Sequence, residues 1–63
     1  MNSFYYRGYD VLMILYKGVW YCSGVNYLNG FRFVLHLRSL ISHAGVSEKQ
    51  ATYDVCSFID REV

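Results

Sequence analysis

The chain has no proline and only two cysteines among its 63 residues. Two thiols do not make the disulfide framework that holds small secreted domains together. The first residues show no basic region followed by an apolar stretch and a cleavage site, so we expect a cytoplasmic protein with reduced cysteines. The longest apolar run, Val11 to Tyr16, is far shorter than the roughly 18–20 residues that span a bilayer, and we expect no membrane contact.

Apolar side chains are abundant by contrast. Hydrophobic residues make up 54% of the chain, and the aromatic ones are seven tyrosines, four phenylalanines and one tryptophan. A single domain spanning residues 1–63 buries only about 60% of the surface that its unfolded chain exposes. Part of the apolar surface is therefore expected to face a partner, or a second copy of the chain in a homodimer.

The net charge of +1 is unevenly placed, since residues 1–45 carry +3 and residues 46–63 carry −2. A nucleic-acid-binding protein usually has a stronger basic excess. The net charge and its distribution therefore do not indicate a particular kind of partner.

The first half of the chain predicts a β-hairpin. Residues 4–16 and 19–27 are rich in β-branched and aromatic side chains, and Lys17-Gly18 fits a two-residue turn between them. The register that follows pairs Leu15 with Trp20, Met13 with Cys22 and Val11 with Gly24 on one face, and Tyr16 with Val19, Ile14 with Tyr21 and Leu12 with Ser23 on the other. Both faces are apolar, whereas a hairpin with one face in water alternates more strictly.

The last part of the chain predicts a helix. Ser47 is a favourable N-cap, and Gln50 three residues later completes a capping box. An apolar stripe of helical period follows, formed by Ala51, Val55, Phe58 and Ile59.

Residues 31–44 fit two patterns. As a strand after an Asn29-Gly30 turn, residues 31, 33, 35 and 37 would share one face. As a helix, Phe33 and Leu37 would continue into a stripe with Leu40 and Ile41, and the pattern accounts for all residues from Gly30 to Ala44. We favour the helix. The predicted fold is then α+β, an N-terminal antiparallel β-hairpin packed by two helices, with a three-stranded antiparallel meander plus the C-terminal helix as the alternative.

Nothing in the sequence predicts an enzyme or a cofactor. No feature places His36 or His43 beside either thiol, as nucleophilic catalysis by cysteine requires. The two histidines are seven residues apart, and no paired ligand spacing typical of zinc is present. The cysteines are expected to be small buried hydrophobes.

Nucleic-acid binding has two possible routes in this sequence. The turn at residues 43–47 between two helices resembles a helix-turn-helix, but the second helix carries four carboxylates against Lys49 and Arg61, which phosphate would repel. The strand alternative instead gives a basic aromatic face suited to single strands. Its members would be Tyr21, Tyr27, Arg32, His36 and Arg38.

The tyrosine surplus favours a protein interface. Tyrosine combines a large contact area with a polar tip, and it is enriched with arginine where proteins meet. The densest cluster is Tyr5, Tyr6, Arg7 and Tyr9. The predicted partner-binding residues are therefore Tyr5, Tyr6, Arg7, Tyr9, Tyr21, Tyr27, Arg32, His36 and Arg38.

Three short motifs, Tyr6-Arg7-Gly8-Tyr9, Gly18-Val19-Trp20-Tyr21 and Phe58-Ile59-Asp60, resemble small proteins encoded by phages and prophages. The resemblance covers the first third of the chain and its last residues. It implies a hairpin-plus-helix core and a non-catalytic inhibitor or adaptor that binds a host enzyme or defence complex, as anti-CRISPR proteins do. It implies no site residues.

Overall fold

The structure, a computed structural model, describes residues 2–38 and 46–63. Its elements are β1 (Asn2–Tyr6), β2 (Tyr9–Tyr16), β3 (Val19–Asn26), β4 (Arg32–Leu37) and α1 (Glu48–Glu62). The strands form one antiparallel sheet in the order β1-β2-β3-β4, and α1 packs on one of its faces. The α+β class is confirmed. Within residues 2–38 and 46–63, no helix has the length and apolar character needed to cross a bilayer.

The predicted pairing of β2 with β3 is confirmed at every position, from Leu15 opposite Trp20 to Val11 opposite Gly24. The φ angles of Lys17 and Gly18 are 50° and 78°. Positive φ at both central residues is the type I′ geometry, whose twist matches that of the flanking strands. A two-residue loop leaves no freedom of register, which is why the sequence pattern located these pairs correctly.

A second turn of the same kind divides residues 4–16, which the sequence pattern treated as one strand. Arg7 and Gly8 have φ angles of 48° and 88°. The chain reverses there, and β1 pairs with β2 from Asn2 opposite Met13 to Tyr6 opposite Tyr9. The hairpin is thus extended on its first side by a strand that was not predicted.

The predicted helix over residues 30–44 is wrong where the structure describes the chain, because residues 32–37 form β4. β4 pairs with β3, and this arrangement turns Phe33, Leu35 and Leu37 together toward α1. The two-helix architecture is therefore wrong and the meander alternative is nearer, with four strands instead of three. Residues 39–45, on which the remainder of the helix prediction rests, lie outside the described residues.

The loop between β3 and β4 is longer than the expected Asn29-Gly30 turn. The Asn26 side-chain oxygen accepts hydrogen bonds from the backbone N–H groups of Leu28 and Asn29, at 2.9 and 3.2 Å. The backbone N–H of Gly30 donates to the Asn26 carbonyl oxygen at 2.7 Å. These bonds satisfy backbone groups of a five-residue connection, residues 27–31.

The C-terminal helix begins where the sequence predicted it. The Ser47 hydroxyl oxygen accepts a hydrogen bond of 3.1 Å from the backbone N–H of Gln50, which is an N-cap contact. Ala51, Val55 and Ile59 are fully buried against the sheet. The core that they complete consists of Tyr9, Val11, Met13, Trp20, Cys22, Phe33, Ala51, Val55 and Ile59. Among the described residues, α1 packs on one face of the sheet and no other helix or strand covers the opposite face.

Candidate binding surface

The uncovered face of the sheet carries several exposed apolar side chains beside its polar residues. Val34 is 65% exposed, Tyr16 57% and Ile14 41%, and Leu12 and Tyr21 are also exposed. These five residues point away from α1, since strand residues alternate between the two faces. We call this surface the open face, and define it by Leu12, Ile14, Tyr16, Tyr21 and Val34.

Aromatic rings meet at one end of the open face. The rings of Tyr21 and His36, on β3 and β4, lie edge to face with centroids 4.7 Å apart. Tyr16 packs on the other side of Tyr21 at 6.5 Å, and the Lys17 Nζ lies 5.3 Å from the centre of the Tyr16 ring. The result is a row of three rings bordered by one cation, typical of surfaces that bind proteins or stacked bases.

Two opposite charges lie at the other end of the open face. Asp10 is opposite Val25, and Val25 is in turn opposite Arg32, so the three residues form one row across β2, β3 and β4. Asp10 and Arg32 are both exposed. Neither has an ion-pair partner within the described parts of the chain.

Three of the predicted partner-binding residues do not lie on this surface. Tyr9 is 3% exposed and packs against Phe33 with ring centroids 5.6 Å apart, so it belongs to the core. Its position opposite Tyr6, just after the Arg7-Gly8 turn, points it toward α1. The prediction of Tyr9 as a surface residue does not fit this burial.

Tyr6 and Arg7 bind the end of the helix. The Tyr6 hydroxyl donates to the Asp60 carboxylate at 3.0 Å, and the Arg7 guanidinium forms an ion pair with it at 2.8 Å. These contacts, first from Arg7 and then from Tyr6, lower the pKa of Asp60 below its ordinary value. The hydrogen bond to Asp60 raises the pKa of Tyr6. The two side chains therefore tie the β1–β2 turn to α1, through the Tyr6 hydroxyl and one N–H group of the Arg7 guanidinium.

The other predicted residues are exposed. Tyr21, Arg32 and His36 lie on the face opposite α1, as the strand alternative required. Tyr5 and Tyr27 form an edge-to-face pair at 6.2 Å near the β3–β4 loop, and are 73% and 61% exposed. Arg38 follows β4 and is exposed. These six residues stay predictions for a binding surface.

The sequence pattern did not single out Leu12, Ile14 and Val34. The sequence indicated these residues only through the apolar character of both hairpin faces. That pattern does not show which of the two faces a helix covers. Only the position of α1 decides that choice, because it covers the Met13 and Cys22 side and leaves Leu12 and Ile14 in solvent.

No chemistry-bearing cluster is found in residues 2–38 and 46–63. Cys22 is fully buried, and burial raises the pKa of its thiol. The pKa of Cys56 is raised first by burial and then by the nearby Asp60. Raised pKa values keep both groups as thiols, which are poor nucleophiles at neutral pH. Within the same described ranges no three metal-ligating side chains converge, and His43 lies outside them.

A groove of about 380 Å³ separates β4 from α1 on the helix side of the sheet. Leu35, Leu37 and Phe58 line it together with Tyr53, Asp54, Ser57 and Arg61. This lining contains neither histidine nor cysteine. The groove therefore offers packing and hydrogen bonding, and its lining holds no histidine that could activate the Ser57 hydroxyl.

Comparison with known proteins found no matching family model, no matching curated protein and no matching solved structure. The functional argument therefore depends on the surface of the chain itself.

Proposed function

We propose that the chain is a non-catalytic protein-binding module and that the open face is its binding surface. The observation that carries the proposal is the exposure of Leu12 and Ile14 on β2 and of Val34 on β4, on one face of the sheet with only β3 between them. An antiparallel sheet with one face in water normally presents polar residues there, and contiguous exposed apolar surface marks an interaction site. Tyr16 and Tyr21 add the aromatic area that anchors many interfaces.

The resemblance to small phage-encoded proteins supports a narrower form of the proposal. In that form the protein bound is a host enzyme or defence complex, and the chain acts by occupying it as an inhibitor or adaptor. A cytoplasmic location follows from the same premise.

Nucleic-acid binding is the second candidate, and one observation favours it. Tyr21, His36 and Arg32 share the open side of the sheet, where bases would stack on the rings and phosphates would meet the arginine. The strand that this arrangement needs is β4. Against it stand the low net charge and the acidic Asp10 on the same side of the sheet.

One substitution separates the two candidates. Val34→Lys places a cation at the β4 side of the apolar patch, on an edge strand that tolerates lysine. Protein binding should weaken at least tenfold, because a charge must then be desolvated in the interface. Binding to a single-stranded oligonucleotide should instead become tighter and more dependent on salt.

Tyr53→Lys is the matched control, since Tyr53 is equally exposed, at 68%, but lies on α1. Each form is tagged and used to capture proteins from lysate after nuclease treatment, and its oligonucleotide affinity is read by fluorescence anisotropy at several salt concentrations. Capture that is equal for the original chain, Val34→Lys and Tyr53→Lys would contradict the open face as the binding surface. Oligonucleotide affinity that falls when Arg32 and Arg38 are both changed to alanine would favour the second candidate.

A further inference from the structure

We infer that the open face binds a second copy of this chain in a symmetric, face-to-face dimer. The inference depends on the proposed function, because it names the partner of the same surface. It is argued from the distribution of charge around the patch and from the area that the patch offers.

The two charges on the open side of the sheet are placed so that they can pair with the same two charges of a second copy. Asp10 and Arg32 lie on either side of Val25 in one row, each one strand away from β3. Consider a two-fold axis that runs parallel to the strands above β3. This axis places β3 opposite the partner's β3 and β2 opposite the partner's β4. Each row of residues across the sheet then faces the same row of the partner.

In that arrangement Asp10 meets the partner's Arg32, and Arg32 meets the partner's Asp10. Two ion pairs form from groups that have no ion-pair partner among the described residues of the single chain. Both pairs follow from one symmetry operation, as an isologous interface requires.

The next row is compatible with the same axis. Leu12 meets the partner's Val34, because these residues flank Ser23 as Asp10 and Arg32 flank Val25. The contact therefore has an apolar row beside a row that carries both opposite charges at one end of the face. Face-to-face packing of sheets at about −30° between strand directions is the common aligned class and brings inner side chains together at a spacing of about 10 Å.

The area predicts a weak dimer. Only β2, β3 and β4 overlap in this arrangement, and three strands at about 4.8 Å spacing with about six residues at 3.4 Å give a face of roughly 300 Å² in plan. Two copies then bury on the order of 600–750 Å², less than the roughly 1,200 Å² of stable specific interfaces. The dimer should therefore dissociate on dilution.

Reversing the charges at positions 10 and 32 tests the dimer specifically, because only self-association predicts that two complementary variants restore binding. In Asp10→Arg both ends of the row are basic, and in Arg32→Asp both are acidic, so each variant should dimerise at least tenfold more weakly than the original chain. An equimolar mixture of the two variants should recover the dimer, because every contact then joins unlike charges. The double variant Asp10→Arg/Arg32→Asp should also recover it. Arg61→Asp, on the exposed side of α1, should leave the dimer unchanged.

The measurement is sedimentation equilibrium over a range of concentrations, at low and at high salt, with circular dichroism to verify folding. The expected result is a mass that rises from 7.4 kDa toward twice that value with concentration, and no such rise for either single variant alone. A mass of 7.4 kDa at every concentration would overturn the inference, and so would a dimer indifferent to both charges. The chain could be monomeric at every concentration while Val34→Lys no longer captures a protein that the original chain captures. That result would overturn the dimer and leave the proposed function standing.

Discussion

The indole N–H of Trp20 donates a hydrogen bond of 2.9 Å to the backbone carbonyl oxygen of Val46. Trp20 lies near the start of β3, and Val46 immediately precedes the N-cap residue of α1. The contact therefore holds the start of α1 against β3. It also satisfies a polar atom of a side chain that is only 5% exposed.

Trp20→Phe removes this hydrogen bond and leaves the Val46 carbonyl oxygen without its donor. We expect the free energy of unfolding to fall by about 1–3 kcal/mol, the usual cost of an unsatisfied buried group. Urea denaturation followed by far-UV circular dichroism measures the change. Tyr53→Phe, at an exposed site, should stay within about 0.5 kcal/mol. Equal stability of Trp20→Phe and the original chain would contradict the role of the bond.

Asp60 provides a prediction about pH. Arg7 and Tyr6 lower the pKa of its carboxyl group from the ordinary value of 3.8. A lowered pKa in the folded state contributes stability above the ordinary pKa, and this contribution is lost as the pH falls through the folded-state pKa. Asp60→Asn should therefore lower the Tm at pH 7, and the difference from the original chain should shrink below about pH 4.

Thermal unfolding from pH 2 to pH 7 tests this expectation. Glu62→Gln, an exposed carboxylate two residues further along α1, should show no comparable convergence at low pH. A difference between Asp60→Asn and the original chain that persists unchanged at pH 2 would mean that shape or packing, and not charge, links the β1–β2 turn to α1.

Gly24 provides a prediction about packing. It lies opposite Phe33 on the covered side of the sheet, and a Cβ atom at this position would overlap the Phe33 ring. Gly24→Ala should cost about 1–3 kcal/mol, as overpacking of a core does. Adding Phe33→Leu should recover part of that loss, which a double-mutant cycle of unfolding free energies would measure. Ser23→Ala, next in sequence but on the opposite face, should have little effect. Additive effects of the Gly24 and Phe33 changes would contradict the close approach.

The elements predicted correctly from the sequence are those whose signals are local. Lys17-Gly18 sets the register of β2 and β3 because a two-residue turn allows no slip. Ser47 and Gln50 mark the start of α1 because capping depends on residues three apart. Each of these signals needs no information from the rest of the chain.

β4 was mispredicted because its apolar residues satisfy two periods at once. Phe33 and Leu37 are four residues apart, which fits a helix, and Leu35 between them completes the alternation of a strand. The free edge of β3 resolves the ambiguity, since pairing with it buries Phe33 against Gly24. That contact is tertiary, so the periodicity of residues 31–37 cannot predict it.

The Arg7-Gly8 turn was missed for a different reason. It has the same basic-residue–glycine chemistry as Lys17-Gly18, ten residues earlier, but aromatic residues surround it and suggest a continuous strand. In a continuous strand Tyr6 would share the face of Leu12 and Ile14, because residues two apart lie on the same side. With the turn, Tyr6 lies opposite Tyr9, and both point toward α1.

Every strand of the sheet pairs with the strand next to it along the chain. The contact order of the sheet is therefore low for a β-rich protein, and its hairpins need only short loops to close. The contacts of α1 are different, since Tyr6 and Asp60 are 54 residues apart. We therefore expect the sheet to assemble from one hairpin to the next and the helix, whose contact between Tyr6 and Asp60 closes a far longer loop, to dock last.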